Sequence, residues 1–219
     1  KGALEEKAMP AVTYCTNIHA GESVAELGEA VSRHARKVRA ALCPEGTFPL
    51  GLRLSGLASR ELAGAAAARE FGDWLAGQGF GVTTVNGFPY GRFHGVPVKA
   101  AVYLPDWRDP ERLAYSLRLA RILASWLPED GVGSVSTVPL GFRRGFPEGD
   151  VPAALDNMRR ALAALADLFE ETGRRVRLAV EAEPGCLVET MPEMVSLFDR
   201  IGAPARHMEH LAVCYDCCH

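Results

Sequence analysis

At 219 residues and 48% hydrophobic, the chain can bury a substantial core, and its 24 Lys and Arg against 27 Asp and Glu leave a formal charge of −3. That balance offers no basic footprint for a phosphate backbone, so nucleic acid is not an expected partner. No apolar run is long enough for a membrane span and Lys1 to Lys7 hold no signal-peptide core, so a soluble, cytoplasmic protein with reduced cysteines is expected.

Along the chain, short β-prone runs alternate with longer segments of helical period, the pattern of a parallel sheet with crossover helices. Strands are expected at Ala11 to Cys15, Leu50 to Ser55, Gly81 to Asn86, Gly133 to Val138, Val176 to Glu181 and Leu211 to Asp216. Ser23 with Glu26 and Thr190 with Glu193 form capping boxes, and Asp109-Pro110 pairs a capping aspartate with a proline at the first helical position. Leu155, Met158, Leu162, Leu165 and Phe169 recur at steps of three and four, one apolar stripe that must lie on a sheet. Between the third strand and the next helix runs a long connection, Gly87 to Asp109, rich in glycine, proline and aromatics; loops of that size in compact domains are usually functional.

Six β/α units fit either a doubly wound sheet or a (β/α)8 TIM barrel without its last two units. Polar residues collect after nearly every strand: Asn17 and His19, Arg53 and Ser55, Asn86, Thr137, Glu181 and Glu183, Asp216 and His219. A barrel can deliver all of them to one mouth, so the α/β barrel is the expected fold. It is expected as a single domain over residues 1–219, incomplete at its C-terminal end.

Glu181 ends an apolar strand, and a carboxylate so placed needs a cation or several donors to stay ionised. It is a candidate metal ligand or general base; the competing reading is a rim carboxylate paired with Arg174 or Arg175. Glu183 is two residues on, but the turn at Pro184 is expected to leave only Glu181 in the site, with Glu183 in support. Asp216 and His219 are three apart at the next strand exit. With Glu181 they make an oxygen-rich partial set suited to a divalent cation such as Mn²⁺, Mg²⁺, Co²⁺ or Zn²⁺. Cys214-x-x-Cys217 lacks the second pair of a structural zinc site, and small thiols filling the barrel interior are expected. The stretch Asn86 to Gly95, with Tyr90, Arg92 and His94, could close over a polyhydroxylated or anionic ligand or pack on itself as an Ω-loop. Asn17, His19, Arg53, Asn86, Tyr90 and His94 are the expected substrate-binding residues.

With Glu181 on the fifth strand and Asp216-x-x-His219 on the sixth, the chain resembles the sugar-phosphate isomerase/epimerase group of xylose isomerase-like TIM barrels. Thr13 to Ser23, the Asn86 to His94 loop, Asp106 to Pro110, Ser136 to Pro139 and Cys214 to Asp216 resemble the EboE family of metabolite-traffic proteins. That resemblance implies Glu181 and Asp216 as metal ligands, Glu181 as a group exchanging a proton at a sugar carbon, and His219 as a catalytic contact to substrate oxygen. It also implies a histidine and a glutamate on seventh and eighth strands, a small-molecule metabolite as substrate, and partner proteins of a trafficking pathway. A non-catalytic metabolite-binding barrel is the alternative. An apurinic-site endonuclease is third, because the chain is net acidic and lacks a histidine at the fourth strand exit.

Overall fold

The computed structural model describes residues 12–95 and 100–219. Six strands, β1 (Tyr14–Cys15), β2 (Phe48–Arg53), β3 (Phe80–Asn86), β4 (Val132–Thr137), β5 (Arg175–Glu181) and β6 (Leu211–Cys214), form one sheet. Every neighbouring pair is parallel and the order in space is the order in sequence, β1 to β6. A doubly wound sheet reverses its order at a switch point. None occurs here, so the winding is that of a TIM barrel, with every strand end opening toward one mouth.

The helices are α1 (Val24–Ala30), α2 (Arg36–Leu42), α3 (Gly56–Glu61), α4 (Ala65–Gly77), α5 (Pro110–Trp126), α6 (Val151–Thr172), α7 (Met191–Ile201) and α8 (Ala205–Met208). A π-helical turn, Val31–Ala35, joins α1 to α2. No helix of the described residues is long and apolar enough to cross a membrane.

Five of the expected strands lie within two residues of their observed limits. The start expected for the first, Ala11, lies outside the described residues. The sixth stops at Cys214 and not at Asp216, because the Asp216 carboxylate accepts the Cys218 N–H at 2.7 Å and curls the chain out of the ladder.

The α6 stripe is buried as its spacing requires at Leu155, Met158, Leu162 and Leu165, each worth roughly 1.5–3 kcal/mol over exposure. At the last turn Leu168 takes the buried place, while Phe169 meets the Arg175 guanidinium 4.3 Å from its ring. Trp107 is fully buried on α5's approach, its indole N–H donating to the Val138 carbonyl at 3.0 Å. Both capping boxes form, at Ser23 and at Thr190, and Asp109 caps α5. Ser23→Ala and Thr190→Ala are each expected to lower the unfolding free energy by about 1 kcal/mol, read from urea titrations. Unchanged midpoints would mean these hydroxyls do no more than water.

Candidate functional site

At the last rung of the β5–β6 ladder Glu181 stands opposite Cys214, so the chain beyond each strand enters the same space. After Glu181 the backbone folds into a tight turn, with Cys186 N–H donating to the Glu183 carbonyl and Glu183 N–H to the Val188 carbonyl. Gly185 sits at φ +81 against the Phe142 ring, 2.6 Å from where a β-carbon would stand, so a larger residue would strike it. The turn is clipped to the β4–α6 connection by a Phe142–Cys186 bridge and by Arg143 N–H on the Gly185 carbonyl.

This turn holds Glu183 beside Glu181 instead of carrying it away, which corrects the expectation that one carboxylate alone would face the site. Single ligand atoms of Glu181, Glu183 and His219 lie within 4.8 Å of one another. His219 Nδ1 donates to the Ala182 carbonyl at 2.9 Å and stands 3.2 Å from Glu183 and 3.8 Å from Glu181. Its Nε2 is 3.4 Å from Asp216. Asp216, expected as the second ligand, is thus outside the tight group of three and reaches it through the imidazole. Among the described residues, every ion pair of these three carboxylates is with His219. Arg175 pairs with Glu209, and Arg174 donates to the Leu127 and Thr172 carbonyls, so the rim-pair reading of Glu181 does not hold.

Three carboxylates around one imidazole form an electrostatically unbalanced cluster. Burial first, then the neighbouring Glu183 charge, pushes the Glu181 carboxyl up to about 7, against the pull of His219. Burial likewise raises Glu183, although His219 and the Tyr103 hydroxyl favour its charged form. Desolvation pulls the His219 imidazole down, but the Ala182 carbonyl and the three carboxylates outweigh it and its pKa rises. The donor set of two carboxylates and an imidazole, with no lysine or arginine to neutralise it, is chemistry that a divalent cation fits.

Tyr103, which the sequence reading missed, donates its hydroxyl to Glu183 at 3.2 Å. Its ring stacks on Phe142 at 4.8 Å and on Phe88 at 5.4 Å, making an aromatic wall beside the carboxylates. Burial, then Glu183, raises its pKa, so it stays a protonated donor. The signal was an aromatic residue late in the long β3–α5 connection, but spacing alone does not say which ring turns inward. Cys214 is held as a thiol, pushed up to about 11 by burial and by Glu181 and Asp216. Cys217 and Cys218 are exposed, so they do not fill the interior, and no described cysteine is paired.

The expected substrate-binding residues divide. Arg53 is 4% exposed, and its guanidinium is taken up by Glu22 at 2.7 Å and the carbonyls of Gly21, Pro89 and Gly91. It holds the β3–α5 connection in place and leaves no donor for a ligand. The Tyr90 hydroxyl donates to Glu111 and accepts from Arg60, and its ring packs edge-on to Tyr115. Asn86 closes a turn by accepting the Phe88 N–H, and Asn17 Oδ1 is buried without a partner. His19 and His94 line a different cavity, whose walls include none of Glu181, Glu183, Asp216 or His219.

The sequential parallel winding is that of a TIM barrel, and two solved structures are similar to it in fold. A xylose isomerase domain protein from Planctomyces limnophilus matches with a TM-score of 0.51 and 14% identity, over 81% of this chain and 56% of that one. An AP endonuclease of family 2 from Brucella melitensis matches with a TM-score of 0.54 and 17% identity, over 95% of this chain and 69% of that one. The chain therefore spans little more than half the length of the first of these, and at such identities the likeness is one of fold. No family model matches the sequence, and no curated protein matches it.

Proposed function

We propose that Glu181, Glu183 and His219, with Asp216 beside them, hold one divalent cation (Mn²⁺, Mg²⁺, Co²⁺ or Zn²⁺) and that the protein is an isomerase- or epimerase-like barrel for a small polyhydroxylated metabolite. The observation that carries this reading is the convergence of three ligand groups within 4.8 Å, with no arginine or lysine among their ion pairs. The EboE resemblance adds the context of metabolite traffic with partner proteins.

A bound divalent ion would supply Lewis-acid polarisation of a substrate carbonyl and its neighbouring hydroxyl. The residues supply the proton chemistry and the shape. Burial at the strand end strips water from the Glu181 carboxylate, and taking a proton from a carbon beside a carbonyl is the role assigned to it. Tyr103 fixes Glu183 through its hydroxyl, and the Phe88–Tyr103–Phe142 wall keeps water from one side of the carboxylates. His219 is oriented by the Ala182 carbonyl at Nδ1, which leaves Nε2, on the side of Asp216, as the nitrogen that would take the ion.

The test is proton exchange. Ketoses and ketose phosphates are incubated with the protein and Mn²⁺ in D2O, and deuterium in the recovered sugars is counted by mass spectrometry. Wild type is expected to incorporate label roughly 100-fold faster than Glu181→Gln. Absence of label from every sugar, with metabolite binding intact, would overturn catalysis in favour of a carrier. Cleavage of an abasic duplex would instead point to the endonuclease reading.

A further inference from the structure

A cavity of about 950 Å³ opens between the turn after β1, helix α1, the π turn and the β3–α5 connection. Its walls bring together His19, His34 and His94 with Arg33 and Arg92. The π turn, a feature that recurs at functional sites, carries both Arg33 and His34. It sets the His34 ring flat against His19, 4.1 Å between centroids and 13° between planes. Tyr14 Oη lies 2.7 Å from His19 Nε2, and His94 Nε2 is buried with no hydrogen-bond partner.

The wall carries Glu22, Glu26 and Glu29 beside Arg33 and Arg92, and the first two of these acids are engaged within the protein. Both Glu22 oxygens face Arg53, and Glu26 caps α1 by accepting the N–H groups of Glu22 and Ser23. Arg33 and Arg92 make no ion pair among the described residues. Burial, followed by the neighbouring His34 and His94, lowers the His19 pKa, as expected where imidazoles crowd together. A metal fits poorly. Rings stacked face to face point their nitrogens side by side, and these imidazoles are not among the described groups close enough to ligate one ion.

We infer that this cavity binds an oxyanion, a phosphate-type group, through Arg33, Arg92 and the three imidazoles. Two guanidiniums supply planar pairs of donors, the geometry that oxyanions take up best. Glu29 also lines the cavity and opposes the anion. The volume leaves room for more than the anion itself, so a phosphorylated metabolite and free phosphate are the two sources. The inference is independent of the carboxylate cluster on β5 and β6.

Inorganic phosphate is titrated into the protein at constant ionic strength, and the six histidine ring signals are followed by NMR. The signals of His19, His34 and His94 are expected to shift together and saturate, while those of His207 and His210 stay still. Arg33→Gln and Arg92→Gln are each expected to weaken binding about fivefold, and Glu29→Gln to tighten it. All three positions are on the surface, so the variants fold. Glycerol 3-phosphate binding more tightly than phosphate assigns the cavity to a phosphorylated metabolite, and equal affinity assigns it to the free anion. Shifts reproduced by sodium chloride, or affinities indifferent to all three variants, would overturn the inference.

Discussion

In metal-free protein kept in chelator, the unfolding free energy is expected to fall as pH rises from about 4.5 to about 7, and Glu181→Gln is expected to remove most of that fall. The sign follows from proton counting. Glu181 has a carboxyl whose ordinary value is 4.5 and whose folded value is about 7, so between those limits the folded chain holds a proton that the unfolded chain has released. Stability then declines with pH, and above 7 the ionised Glu181 costs about 3 kcal/mol relative to a carboxylate in water. The side chain is 13% exposed, so solvent screens little of this. His219 acts in the same direction, because its raised pKa makes the folded state the better proton acceptor. Urea titrations at pH 4.5 and pH 8 check it: the glutamine variant should exceed wild type at pH 8 and match it at pH 4.5. A wild-type curve that is flat or rises over this range would mean that Glu181 is not buried among like charges.

Arg112→Met is expected to destabilise the fold by about 3 kcal/mol, and to open the β3–α5 connection to proteolysis before the rest of the chain. Arg112 is fully buried at the start of α5. It donates to the carbonyls of Pro105 at 2.7 Å, Gly87 at 2.8 Å and Phe88 at 3.4 Å, joining both ends of that long connection. Methionine fills comparable space but leaves three carbonyls with no donor, each worth roughly 1–3 kcal/mol when buried, partly offset by no longer desolvating a guanidinium. Because Phe88 and Tyr103 lie on the same connection, the variant should also release Glu183 from its hydroxyl partner. A loss below 1 kcal/mol, or cleavage elsewhere first, would show that the connection is held by its aromatic packing instead.

The strands were legible because each is an apolar run bounded by turn residues, and the capping boxes marked helix starts at Ser23 and Thr190. Barrel winding was legible only indirectly, through polar residues after successive strands; the sequential order of the sheet decides it. What the sequence could not carry were contacts made across the chain. Glu183 stays with Glu181 because of hydrogen bonds to Cys186 and Val188 that no local pattern announces. Arg53 and Tyr90 look like ligand-facing groups, yet Glu22, Glu111 and nearby carbonyls engage them. The π turn that brings His34 onto His19 leaves no signature in helical periodicity.

The most direct test of the strand-end metal centre is calorimetric titration of the chelator-stripped protein with Mn²⁺ and with Zn²⁺, run in two buffers of different ionisation heat at pH 7. One ion per chain should bind with release of a proton, and Glu181→Gln and Glu183→Gln should each weaken it by roughly 100-fold, the loss of about 2.7 kcal/mol. Absence of binding, or binding unaltered by either substitution, would contradict a shared cation between β5 and β6.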